Sequence, residues 1–203
     1  MQPERSGPVA GIVLAAGTSS RMGFNKMLLK LDGETLLRRA VKRASAAGLA
    51  PVVVVLGHEA DRARGELVNL PCQPVLNADY ARGINFSLQA GLAAVPADAA
   101  AAMVILADMP FVTAAMIAAL VERYRESVAP LVISDYAGIN APPMLYDRSL
   151  FGELRAMQGE GCGKQVVKRH RSEAQALSWP AAALADIDVP DDYQRAKTGL
   201  AEG

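Results

Sequence analysis

Short apolar runs rich in β-branched residues recur along this chain, and segments with helical spacing lie between them. Residues 9–14 (VAGIVL) and 51–56 (PVVVVL) are unbroken apolar stretches of the kind buried on both faces of a parallel sheet. Between them, residues 35–47 place Leu36, Leu37, Ala40, Val41 and Ala44 at helical intervals, and Gly48 supplies a stop. The alternation continues. The spacing predicts a charged helix over 59–68, a short strand at 74–76 and a helix over 84–95 carrying Ile84, Leu88, Gly91, Leu92 and Val95 on one side. A strand at 103–106 precedes a helix over 113–124, with Thr113 as its cap. Strands at 131–134 and 143–146, a helix over 149–157 opened by Ser149, a strand at 186–189 and a helix from Pro190 to Lys197 complete the pattern. This order predicts an α/β fold: three layers, a mostly parallel sheet with helices on both faces. Ligands of such sheets gather at the carboxyl ends of the strands, so the informative positions follow Leu14, Leu56 and Leu106 and lie near Val189.

The 203 residues suit a single domain over 1–203, with no linker composition to divide them. Twenty-one basic and 21 acidic side chains leave no basic excess, so no nucleic-acid partner is expected. Cys72 and Cys162 stand far apart and form neither a disulfide framework nor a metal motif. The first residues lack a basic region leading into a long apolar core, and no run of about 20 apolar residues exists. A cytoplasmic protein without membrane spans is the expectation.

The loop after the first strand, residues 14–26, reads LAAGTSSRMGFNK. Gly17 and Gly23 permit tight turning and close approach of a ligand, and Ser19 and Ser20 add donors. Arg21 and Lys26 bring positive charge suited to phosphates. Gly-x-Gly-x-x-Gly is absent, and Gly23 is followed by Phe24 and Asn25 where a Walker A loop needs Lys and Ser or Thr. Glycine and serine content alone favours a plain strand-to-helix turn with exposed basic residues. Asp108 follows the apolar strand at 103–106 and precedes Pro110, which fits either a ligand-facing carboxylate or a turn residue.

The full string LAAGTSSRMGFNK resembles the signature of the molybdenum cofactor nucleotidyltransferases, Leu-Ala-(Ala/Gly)-Gly-x-Ser-x-Arg-Met-Gly-x-x-Lys, at every fixed position. A looser form is shared across the NTP-transferase superfamily. The resemblance implies a Rossmann-like nucleotidyltransferase fold of the glycosyltransferase-A type. It implies that Leu14, Ala15, Ala16 and Gly17 line the nucleotide, and that Arg21 and Lys26 hold its phosphates and act with Asp108 in catalysis. It makes Asp108 a magnesium ligand and Asp188, in DIDVPDDY, the second one, since this segment resembles the family's Asp-Ile-Asp-Thr-Pro-Glu-Asp ending. On a strand, Asp186 would share a face with Asp188, whereas Asp191 and Asp192 also fit a helix N-terminus. Asn77, Gly83, Ser87 and Leu88 match the family's Asn-x-x-x-x-x-Gly-Met-x-x-Ser-Leu stretch; Asn77 and Ser87 are nucleotide candidates and Leu88 reads as core. His58 reads as a surface turn residue.

Residues 139–167 depart from the family pattern. Asn140 stands in for the family asparagine from a shifted position, and Glu160 and Lys164 keep the charge signs of the later motif. Replacing the family arginine with Lys164 removes the bidentate fork. Cys162 reads as an inert small residue. This half is expected to meet the second substrate.

The resemblance implies CTP and molybdenum-bearing molybdopterin as substrates, because the Leu-Ala-Ala-Gly form goes with CTP and the Leu-Ala-Gly-Gly form with GTP. The products would be molybdopterin cytosine dinucleotide and pyrophosphate, with an apo-molybdoenzyme of the xanthine dehydrogenase type as partner. Other readings are a guanylyl or sugar-nucleotide transferase on the same fold, a non-catalytic cofactor chaperone, and a hydride-transfer enzyme, which the missing dinucleotide fingerprint disfavours.

Overall fold

The computed structural model describes residues 5–158, 161 and 163–201. In chain order its strands are β1 (Val9–Ala15), β2 (Lys30–Leu31), β3 (Glu34–Thr35), β4 (Val52–Leu56), β5 (Gln73–Leu76), β6 (Ala101–Leu106), β7 (Leu131–Tyr136), β8 (Ile139–Asp147) and β9 (Gln175–Trp179). The helices are α1 (Leu36–Ala46), α2 (Ala60–Gly65), α3 (Ile84–Ala93), α4 (Ala114–Glu126), α5 (Phe151–Ala156), α6 (Lys164–Arg169) and α7 (Pro190–Ala201). β2 and β3 form a small hairpin; the other strands build a seven-stranded sheet in the order β5-β4-β1-β6-β8-β7-β9. The pairs β5–β4, β4–β1, β1–β6 and β7–β9 are parallel, and β8 runs against both β6 and β7.

Both faces are buried, which is why the central strands read as unbroken apolar runs. Alternate residues serve opposite cores. Val13, Val54 and Met103 pack with Leu37, Val41 and Ala44 of α1 and with Ile117 and Leu120 of α4. Ile12, Val53, Val55 and Val104 pack with Leu88 and Leu92 of α3, Leu154 of α5 and Val166 of α6. Helices therefore cover both faces of a mostly parallel sheet, as expected.

The predicted boundaries shift at several places. Thr35 and Thr113 accept hydrogen bonds from Arg38 N and Met116 N, so each caps its helix. The charged helix shrinks to α2, because Glu59 takes a left-handed conformation (φ 50°) and the chain after Gly65 goes into turns. Asp147, rather than Ser149, opens the segment before α5, accepting from Ser149 N at 2.9 Å. β8 is longer than expected, since its prolines sit at a bulge opposite Ile133 and Ser134 where no ladder N–H is needed. The bulge carbonyls are taken up by side chains: Ser134 Oγ donates to Pro143 O and Tyr136 OH to Pro142 O. β9 and α6 are short and largely exposed or half-buried, and the sequence did not foresee them. Residues 186–189 are not a strand. They lie on no sheet edge, and Ile187 is instead buried with Met22, Leu31, Leu36 and Ala196 in a separate small core. Among the described residues no helix is long and apolar enough to cross a membrane.

The chain leaves β1 for β4 and β5, then returns through α3 to β6 on the other side of β1. This reversal opens a crevice at the carboxyl ends of β1 and β6.

Candidate active site

At that crevice the first loop is held by its own side chains. Ser19, at φ 53°, accepts from Lys26 N through Oγ (3.1 Å) and from Met22 N through its carbonyl (2.9 Å). Asn25 is buried; its Oδ1 accepts from Met27 N (3.0 Å) and its Nδ2 donates to His58 O (3.2 Å). The loop is thereby tied to the end of β4. Met22 anchors it from below in the small core that also holds Ile187.

Ile187 in turn positions the late acidic segment, and its N–H donates to Asp108 O at 3.0 Å. The Asp192 carboxylate accepts from Asp188 N (2.9 Å) and Val189 N (2.8 Å), closing the first turn of α7. These two amide donors hold its pKa below the usual carboxylate range. Asp192 is thus a capping residue.

Between loop and segment, four charged side chains converge. Lys26 Nζ lies 2.6 Å from Asp108 Oδ2 and 2.7 Å from Asp188 Oδ1. Arg21 Nη2 lies 2.6 Å from Asp188 Oδ2. The Lys26 side chain is only 11% exposed, whereas that of Arg21 is 68% exposed. Burial opposes the Lys26 charge, but the charges and hydrogen bonds of Asp108 and Asp188 outweigh it and hold the pKa above the ordinary lysine value. Asp188 shows the reverse: burial would raise its pKa, yet Lys26 and Arg21 bring it below the usual range. Asp186 remains nearby but is shifted upward, first by burial and then by the charges of Asp188 and Asp108.

The cluster stands at one end of a cleft of about 360 Å³, lined on the strand side by Leu14, Ala15, Ala16 and Gly17. Tyr80, Gly83, Ile84 and Ser87, at the start of α3, form the opposite wall. Asn77 stands behind that wall: its amide donates to Ser87 Oγ (3.1 Å) and its Oδ1 accepts from Asp79 N (3.0 Å). The structure thus brings together every predicted site residue except Asn77, which braces Ser87. Sequence reasoning gave no part to Asn25, Gly57 or Tyr80. Gly57 is the tightest of these, because a Cβ there would lie 2.5 Å from Tyr80 Cβ and 2.6 Å from Ala16 O. Only glycine lets β4 end against both walls, a signal visible in sequence merely as a glycine after a strand. Asn140 is spent on its own hairpin, donating to Asp135 Oδ2 at 3.1 Å. Glu160 and Cys162 lie outside the described residues.

A pair of converging carboxylates, two cations and a loop-lined cleft at a sheet switch point form a site suited to a polyphosphate. The profile of the MobA-like NTP transferase domain matches residues 11–174. The chain belongs to this family. It is accordingly a nucleotidyltransferase of the MobA-like type, and the molybdenum cofactor resemblance of the first loop stands. The chain is 28% identical to the purine catabolism protein PucB of Bacillus subtilis, covering 97% of this chain and 99% of that protein. It is 39% identical to a probable molybdenum cofactor guanylyltransferase of Opitutus terrae over 53% of this chain and 51% of the relative. The crystal structure of Rv0371c from Mycobacterium tuberculosis superimposes with a TM-score of 0.84 at 27% identity, covering 95% of this chain and 98% of that one. A manganese complex of the same mycobacterial protein superimposes at 0.79 with 26% identity, covering 94% and 98%. The MobA-like match ends before Asp188, so the late carboxylate joins the site through the fold.

Proposed function

We propose that this chain works as one NTP-transferase domain over residues 1–203 and transfers CMP from CTP to molybdenum-bearing molybdopterin, giving molybdopterin cytosine dinucleotide and pyrophosphate. The observation that carries the reading is the meeting of Arg21, Lys26, Asp108 and Asp188 at the mouth of the cleft lined by residues 14–17.

The reaction is an in-line displacement. An oxygen of the acceptor's terminal phosphate forms a bond to the α-phosphorus of CTP, and the bond to the leaving pyrophosphate breaks. Such a reaction needs positioning and charge neutralisation more than a protein nucleophile. Leu14, Ala15, Ala16 and Gly17 line the nucleotide, Lys26 and Arg21 hold its phosphates, and Ser87 faces it from the first turn of α3. Asn77 contributes by fixing Ser87. Asp108 and Asp188 would hold magnesium. The fit is good: their oxygens converge on one point, now taken by a lysine nitrogen, and magnesium favours one or two carboxylates with the rest of its shell from water and substrate phosphates. The cation supplies charge neutralisation at the phosphates when bound. The manganese complex of the mycobacterial relative supports divalent metal use.

Ala16 supports CTP. It is buried at the cleft wall in the Leu-Ala-Ala-Gly form, and its methyl group takes space beside the base. One methyl group discriminates by about 1–3 kcal/mol, enough for a preference of roughly 10- to 200-fold. The Bacillus relative is named a purine catabolism protein, which accords with a xanthine dehydrogenase-type apoenzyme as the recipient of the cofactor. Guanylyl transfer to the same acceptor is the second reading, favoured by the name of the Opitutus relative.

Pyrophosphate release measured with CTP, GTP, ATP and UTP, each with magnesium and molybdenum-loaded molybdopterin, tests the proposal. Release with CTP alone is expected. Release with GTP alone would keep the mechanism and replace the nucleotide. Silence with all four, with pterin binding retained, would turn the protein into a cofactor carrier.

A further inference from the structure

The Lys26 ammonium stands where a divalent cation would have to stand. It touches one oxygen of Asp108 and one of Asp188 at 2.6 and 2.7 Å. The remaining Asp188 oxygen is taken by Arg21. Three of the four oxygens of the pair are thus in contact with protein cations, and the lysine is mostly enclosed. A divalent cation entering between the carboxylates would meet this ammonium at close range, where like charges repel strongly.

The same lysine lies on the wall of the nucleotide cleft. The triphosphate of the nucleotide offers the ammonium a replacement for its carboxylate partners. Its long flexible stem can carry the charge between the two sets of oxygens without moving the loop, whose backbone is fixed independently by Ser19 and Asn25.

We propose that Lys26 is a resident counter-ion of the carboxylate pair, so that the nucleotide-free enzyme binds divalent metal weakly and nucleotide entry frees the site by drawing the lysine onto the phosphates. The inference rests on the assignment of Asp108 and Asp188 as the metal-holding pair. Nucleotide and metal then bind with positive coupling, and Lys26 carries part of it. The coupling is reciprocal: metal also tightens nucleotide by the same factor. Arg21 adds to the effect from its exposed position, with a smaller share because it leaves Asp108 untouched.

The test is manganese(II) affinity of the full chain, read by electron paramagnetic resonance, with no nucleotide and no acceptor present. Lys26→Met removes the charge and keeps the stem; Lys26→Gln keeps a hydrogen-bond donor toward the carboxylates and guards against a folding defect in the first variant. Couplings of this kind are commonly worth about 5- to 150-fold. Both variants are expected to bind manganese at least about tenfold more tightly than the wild type, or roughly 1.4 kcal/mol. Affinity equal to or weaker than wild type in folded Lys26→Gln would overturn the proposal. Asp108→Asn and Asp188→Asn in the Lys26→Gln background separate the two levels. If they abolish manganese binding, the metal pair stands whatever Lys26 does. If they leave it unchanged, the metal assignment fails and the counter-ion role falls with it.

Discussion

The half of the sheet made of β5, β4, β1 and β6 and the half made of β8, β7 and β9 solve different problems. In the first half the four strands all run parallel to one another, and the switch point lies between β1 and β6. The loops there carry the charged cluster and the cleft. In the second half a reversed strand with a proline bulge is fastened by side chains: Ser134 and Tyr136 hold the bulge carbonyls, and Tyr124 and Arg5 hold Asp147. Backbone connectivity thus builds the side proposed to hold the nucleotide, while individual polar contacts shape the side proposed to meet the acceptor. A parallel βαβ unit leaves little freedom in where its loops end; a bulged antiparallel pair can vary without disturbing the switch point.

The sharpest way to break the comparison is in the first half. Asp108→Ala should lower pyrophosphate release about 10³-fold, the scale of removing one preorganised electrostatic group, with an unchanged circular dichroism spectrum. Full turnover with magnesium present would remove Asp108 from the chemistry. Next in size is a change at the second half's tip. Asp135→Ala breaks the contacts to Asn140 and Gly138 N and should raise the acceptor KM by about tenfold, the kinetic equivalent of one or two hydrogen bonds. The NTP KM should stay constant; a matching rise there would erase the division of labour.

Acid stability compares the halves through one carboxylate in each. Burial works to raise the pKa of Asp147, but hydrogen bonds from Ser149 and Tyr124 and the Arg5 charge outweigh it, and Lys26 and Arg21 do the same for Asp188. Both folded pKa values are depressed. Their stabilisation is therefore present above the unfolded value of about 3.9 and is lost as pH falls through the lower folded values. Urea midpoints should hold steady from neutral pH to about 5 on this account and decline below about 4. Asp147→Asn should flatten that decline; an unaltered slope would remove Asp147 from the acid response. The smallest effect belongs to the β7–β8 turn. Ala137 and Gly138 both have positive φ (53° and 91°), a two-residue turn that favours Asn-Gly. Ala137→Asn should stabilise the fold by about 1 kcal/mol in chemical denaturation without altering NTP kinetics.

Elements that bury both faces or one clear stripe were legible in sequence. β1, β4 and α1 are the plainest cases, because each announces its environment in consecutive residues. β9 and α6 were not, since each is short and half-exposed and owes its place to neighbours. Residues 186–189 misled for a related reason: Ile187 and Val189 alternate with aspartates as in a strand, yet Ile187 is buried by α7 and the first loop. In the site, the loop and Asp108 were readable because strand ends in such a sheet face the crevice. The bracing role of Asn77 and the close approach at Gly57 were not, because both depend on which wall stands opposite.

By itself, then, the sequence determined the alternation of strands and helices, the glycine- and serine-rich loop with its two cations and the carboxylate at the end of β6, since each is encoded in a few consecutive residues. Only the tertiary structure decided that Lys26 and Asp188, 162 residues apart, share one charge cluster. Local periodicity specifies an element, but the meeting of distant elements is set by the packing of α7 and the first loop around Ile187, which no single segment contains.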